Sequence, residues 1–143
     1  LIFILIHYNC GKSSMMKKFL YMFLLFIPLS AYAGTYRVNK TGLLLQTKHL
    51  KNGNIHFDIY NPRNSGKNSL AQGVAKLKSG DSEIDIDEET GLGYAVDEYI
   101  HDKNQCFISI RLDVEKGKKG SLKTSCPKQN ELRHLNIPIL KIK

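Results

Sequence analysis

The chain has 143 residues, 42% of them hydrophobic, with 21 basic and 13 acidic residues for a formal charge of +8, three cysteines and no tryptophan. Length allows one domain, or one domain plus a targeting segment, and excludes a large multidomain enzyme. The apolar content is too high and too regularly placed for a disordered chain, and collagen-like or coiled-coil compositions are absent.

Residues 1–14 open with the apolar run Leu1–Ile6 and contain no methionine. They read as an over-extended gene start, with Met15 or Met16 as the true one. Lys17 and Lys18 then precede an apolar stretch, Phe19–Ile27, and a small-x-small end, Ala31-Tyr32-Ala33. A basic region, an apolar core and two small residues for the peptidase pockets make 15–33 a signal peptide, cleaved between Ala33 and Gly34. The apolar core is about half the ~20 residues that span a bilayer. Residue 34 is not cysteine, so the bacterial lipid-attachment pattern is missing. The expectation is a periplasmic or secreted chain, 34–143, with no membrane anchor.

Residues 1–33 hold three lysines and no acid, leaving 18 basic and 13 acidic residues, net +5, over 110 residues. This length suits a single domain with one modest core. Cys10 leaves with the first segment. Cys106 and Cys126 remain, an even number in an oxidising compartment, and one disulfide is the natural reading.

From residue 34 onward the apolar period is close to two, and helical stripes are scarce. Tyr36–Lys40 and Leu43–Leu50 are the first strands. Asn52-Gly53 is a strong turn signal, followed by the alternation Ile55, Phe57, Ile59 and a loop at 61–66. Ser69–Lys78 is a weaker strand with small residues at Ala71, Gly73 and Ala75. Asp81–Glu89 alternates acids with Ile84 and Ile86. It fails as a calcium loop, since positions six and twelve would be Ile86 and Leu92. It reads as an edge strand with an acidic face toward solvent, which discourages edge pairing. Tyr94–Ile100 alternates next, with a turn at His101–Asn104.

Cys106, Ile108, Ile110, Leu112 and Val114 share one face of the clearest strand. A turn near Lys116 returns the chain through Ser121–Cys126. One register then sets Cys106 opposite Cys126, Ile110 opposite Leu122 and Asp113 opposite Lys119. Facing Cβ atoms lie about 4.5–5.5 Å apart, close enough for a bridge. Leu135, Ile137 and Ile139 form a last strand, which Pro138 assigns to an edge because it cannot donate to a ladder. The fold class expected is all-β: seven or eight short strands in an antiparallel meander closed as a small barrel or sandwich.

Catalytic and metal signatures are absent. His49, His56, His101 and His134 are scattered and read as surface or turn residues. No metal site, cofactor or nucleophile constellation is recognisable, so the chain does not read as an enzyme. Lys116, Lys118, Lys119 and Lys123 cluster at the long hairpin's tip and form a candidate basic contact patch. No aromatic platform interleaves them, and a nucleic-acid partner is not expected.

The segments Asn52-Gly53-Asn54-Ile55-His56-Phe57-Asp58-Ile59, Gly73-Val74-Ala75-Lys76-Leu77, Tyr94 and Cys106-Phe107-Ile108-Ser109-Ile110, with the second cysteine Cys126, carry a resemblance. Over residues 52–126 the chain resembles a loose group of small exported bacterial β domains, envelope proteins some of which accompany lysozyme-inhibitor-like modules. The resemblance implies a binding or inhibitory protein of the cell envelope, whose partner is an envelope protein, a toxin or a hydrolase. The alternative is a barrel carrying a small apolar ligand or lipid.

Overall fold

The computed structural model describes residues 33–63 and 68–143. The expected gene-start segment 1–14 and the leader, Ala31 included, lie outside the described residues except for Ala33. Among the described residues nine strands follow one another: β1 (Ala33–Val38), β2 (Leu44–His49), β3 (Ile55–Tyr60), β4 (Ser69–Leu77), β5 (Glu83–Ile86), β6 (Gly93–Lys103), β7 (Cys106–Asp113), β8 (Lys119–Ser125) and β9 (Leu135–Lys141). A single 3-10 turn, Asn130–Leu132, sits between β8 and β9. Their β-branched and aromatic alternation suits a pleated wall with one buried face. Turn chemistry separates them. At Gly53 φ is +87°, which a side chain would resist, and the Asn54 amide donates to Asn52 Oδ1.

Every pairing is antiparallel, in the order β4-β3-β2-β1-β9-β8-β7-β6-β5, and a further β4–β6 pairing closes the sheet. Closure rests on Lys76 opposite Ile100 and Leu77 opposite Tyr99. The result is an eight-stranded barrel, the closed form of the expected meander, in which closure removes free edges. The ninth strand, β5, lies outside the ring. It pairs with the first part of β6, Glu83 opposite Val96 through Ile86 opposite Gly93. β4 and β5 thus run in the same direction along one edge of β6, interrupted by residues 78–82. β3 covers the other edge of β4, but no strand among the described residues covers the other edge of β5.

Side chains fill the interior. Phe57, Leu45, Ile55, Ile59, Ile108, Ile110, Leu122 and Ile139 are fully shielded, and Leu132 enters from the β8–β9 connection. Each such burial stabilises the fold by about 1.5–3 kcal/mol. The Leu132 carbonyl accepts from Thr124 Oγ1 at 2.7 Å and from the Cys126 amide at 3.0 Å, so the plug is tied to β8. The small residues of β4 also have a use. A Cβ on Gly73 would lie 2.9 Å from His101 Cε1, and the His101 ring packs edge-on against Phe57 with centroids 5.0 Å apart.

The long hairpin adopts the expected register, Ile110 opposite Leu122 and Phe107 opposite Ser125. The Cys106–Cys126 disulfide closes it just beyond the ladder, with Cα atoms 4.1 Å apart.

Three expectations are corrected. His101–Lys103 is strand, and the β6–β7 turn is Asn104-Gln105, both at positive φ, 54° and 62°. Two left-handed residues in succession match the right-handed twist of a tight hairpin. Two histidines belong to the packing rather than to surface turns: His101 on Phe57, and His49 edge-on to Tyr99 at 5.9 Å. Finally, β9 is an inner strand, between β1 and β8. Pro138 is tolerated because its carbonyl accepts from the Asn39 amide, so its nitrogen points to the same side, past the end of β1.

Tyr36 ties β1 to the β7–β8 turn. Its hydroxyl donates to the Gly117 carbonyl at 2.6 Å. Burial, with a smaller contribution from Tyr99, raises its pKa from 10.0 to about 12. A raised folded pKa means stability that is complete below pH 10 and is lost as pH rises through 10 toward 12. The urea midpoint is expected to fall more steeply over that window than in Tyr36→Phe. Parallel slopes for the two chains would contradict this assignment.

Candidate functional site: a strand flap over the barrel wall

Alternation on β5 puts Glu83 and Asp85 on one side and Ile84 and Ile86 on the other. The expected orientation is reversed in the structure. The acids face the barrel's outer wall, and the isoleucines face solvent, 66% and 68% exposed. The reason lies on β7 and β8, whose outward residues include two cations. Arg111 Nη1 donates to Asp85 Oδ1 at 2.5 Å, and Arg111 Nη2 pairs with Glu83. Its Nε lies 3.8 Å from Glu98. Lys119 pairs with Asp87 at 2.7 Å, its ammonium 4.4 Å from the centre of the Tyr94 ring. Val96, on the same face of β6, is fully buried. The β5–β6 hairpin is therefore a flap whose charged side is latched to the barrel wall.

Glu98 knits the latch together. It accepts from Ser109 Oγ at 2.6 Å and from Lys78 Nζ at 3.1 Å, while Lys78 also reaches Glu83 at 2.7 Å. Burial pushes the Glu98 carboxyl up, but Ser109, Lys78 and the Arg111 charge together hold it below its ordinary value. The Lys119 hydrogen bond, with the Glu89 amide, likewise holds Asp87 low.

Arg111→Gln should cost about 1–3 kcal/mol, because Glu83, Asp85 and Glu98 would then face one another without a guanidinium. Glu98 has a lowered folded pKa, so its share is present above the ordinary carboxylate pKa and lost as pH falls through the lower folded value. The gap between wild type and Arg111→Gln in urea should accordingly close in acid. A gap that persists after the carboxylates are protonated would show that Arg111 acts through packing instead.

Two clefts flank the flap. One, about 610 Å³, runs between it and the β8–β9 wall, past Asp85, Asp87, Glu98, Arg111, Lys119 and Lys123. The other, about 450 Å³, lies at the β7–β8 turn, lined by Tyr94, Asp113, Glu115, Lys116, Lys118 and Lys119. The basic cluster read from the sequence is thus divided. Lys116 and Lys118 are exposed at the turn cleft. Lys119 is engaged by Asp87, lies over Tyr94 and lines both clefts. Lys123 stands on the outer wall of β8. Among the described residues no three His, Cys, Asp or Glu groups are placed to hold a metal ion. The expected cleavage residues Ala33 and Gly34 begin β1, opposite Lys48 and Thr47.

The solvent side of the flap is the surface that sequence reasoning missed. Ile84 and Ile86 stand opposite Ala95 and Gly93, and Leu92 at the hairpin tip is 68% exposed. Val114, whose amide donates to the Ala95 carbonyl, is also exposed. Alternation announces such a stripe but does not say which side it faces. The chain was compared with protein-family models, with curated proteins and with solved structures, and nothing matches it.

Proposed function

We propose that the chain is a small binding or inhibitor-type protein of the bacterial cell envelope, periplasmic or secreted, without catalysis of its own. It engages an envelope protein, toxin or hydrolase through the β5–β6 flap. The observation that carries this reading is the row Ile84, Ile86 and Leu92, each about two-thirds exposed on an element latched by ion pairs. Large apolar side chains grouped on a protruding edge mark interaction surfaces. The Cys106–Cys126 bridge supports an oxidising compartment. No helix among the described residues is long and apolar enough to cross a membrane. The other reading, a barrel carrying a small apolar ligand, draws no support from an interior occupied by Phe57, Leu45 and Ile110.

A photo-crosslinking side chain placed at 86 or 92 in the bacterial envelope tests the reading. A discrete adduct is expected at both positions, and none at Gln46 on the outer face of β2. Equal labelling at all three, or no adduct on the flap, would remove its support.

A further inference from the structure

The surface of the flap has two parts, an apolar face and an unpaired strand edge. Among the described residues β5 pairs only with β6, and no described strand neighbours the opposite row of backbone amides and carbonyls. Such an edge is a template for one more strand, with affinity from main-chain hydrogen bonds and selectivity from alternate side chains. A strand added there would present its own apolar residues beside Ile84 and Ile86.

Charge decides what that strand is. Glu83, Asp85 and Asp87 are already paired with Arg111 and Lys119. Asp81, Glu88 and Glu89, at the two ends of β5, make no ion pair among the described residues, and all three are exposed. A second copy of β5 is a poor fit. Antiparallel pairing that keeps isoleucine beside isoleucine allows three central registers. With Ile84 opposite Ile86, Asp85 faces Asp85 and Asp81 faces Glu89. With Ile84 opposite itself, Glu83 faces Asp85 and Asp81 faces Asp87. With Ile86 opposite itself, Asp85 faces Asp87 and Glu83 faces Glu89. Like charges directly opposite one another are destabilising, so all three registers are disfavoured. Lysine or arginine opposite Asp81 and Glu89, acids that Arg111 and Lys119 do not engage, would replace the repulsion there with an attraction.

We infer that β5 receives an extended segment of a partner protein in which apolar and basic residues alternate, added as a further antiparallel strand to the barrel's flap. This deepens the binding reading and rests on it.

The probe is a fluorescein-labelled eight-residue peptide alternating lysine and valine. It is compared with the same peptide carrying glutamate for lysine, and with one N-methylated on the amides of one edge. The full chain should bind the lysine peptide at least tenfold more tightly than the glutamate peptide, and the N-methylated peptide should not bind. Hydrogen exchange should slow at the β5 amides that point away from β6. Glu88→Lys/Glu89→Lys should narrow or reverse the preference, and Ile84→Lys/Ile86→Lys should weaken binding tenfold or more. All four side chains are exposed, so these variants retain the fold.

Equal binding of the N-methylated peptide, protection mapping away from β5, or a dimer with protected β5 amides before any peptide is added would each overturn the inference. So would a crosslinked partner at 86 or 92 whose complex leaves the β5 amides unprotected, although the flap would then still be the binding surface. Lysine-peptide binding with slowed β5 exchange, but no envelope adduct, would uphold strand addition and count against the envelope-partner reading.

Discussion

Phe57→Ala should remove about 3–5 kcal/mol of folding stability, the upper range for truncating a buried aromatic residue. The ring is fully buried. Its neighbours across the sheet are Thr47 on β2 and Gly73 on β4. Gly73 has no side chain to move into the vacated space, and its bare backbone is what admits the His101 imidazole against Phe57. His101 Nδ1 is also 3.0 Å from the Val74 carbonyl, a contact that following the lost ring would break. The site therefore collapses poorly, and most of the cavity cost should remain. Phe57→Leu, which keeps much of the volume, should cost less than half as much. Urea unfolding followed by circular dichroism measures both. A loss below about 1 kcal/mol for the alanine variant would mean that this side of the interior is loosely packed, against the burial seen here.

The same residues show what a single sequence can reveal. Ile55, Phe57 and Ile59 alternate within three dipeptides, and the hairpin from Cys106 to Cys126 can be registered by requiring cysteine to face cysteine, apolar to face apolar and acid to face base. Local periodicity fixes strands, and a short turn fixes the pairing of its two arms. Closure is different. Barrel and sandwich differ here by the β4–β6 pairing, at Leu77 opposite Tyr99 and Lys76 opposite Ile100, which no local pattern encodes. The orientation of β5 was hidden for a related reason. Glu-Ile-Asp-Ile reads equally well with either side outward, and the usual preference puts acids in water. Arg111, 26 residues from Asp85, and Lys119, 32 residues from Asp87, reverse that preference. Pro138 misled because a missing donor is harmful only where a neighbour would accept it, and β1 ends at that point. The candidate site was therefore legible as residues, acids alternating with isoleucines, but not as a surface.

Removing the disulfide through Cys106→Ala/Cys126→Ala should cost about 3 kcal/mol, from the loop-closure entropy of a bridge spanning 20 residues. The native hairpin does not need the bridge to find its register. The ladder from Phe107–Ser125 to Leu112–Gly120 is complete without it, and Ile108, Ile110 and Leu122 are buried on its inner face. The loss should therefore act mainly through the unfolded chain, which gains freedom when the hairpin's ends separate. Two measurements distinguish this from damage to the folded barrel. The urea dependence should steepen, because a less constrained unfolded chain exposes more surface. The slow exchange of β7 and β8 amides, relative to other core amides, should be preserved in the variant even as global stability falls. Cys126 is buried and its amide donates to Leu132, so a structural role for the bridge predicts the opposite result. The Leu132 plug would loosen, β8 and β9 amides would lose protection selectively, and the urea slope would stay where it was. The entropic account stands if protection falls evenly and the slope rises. It fails if the plug is lost first.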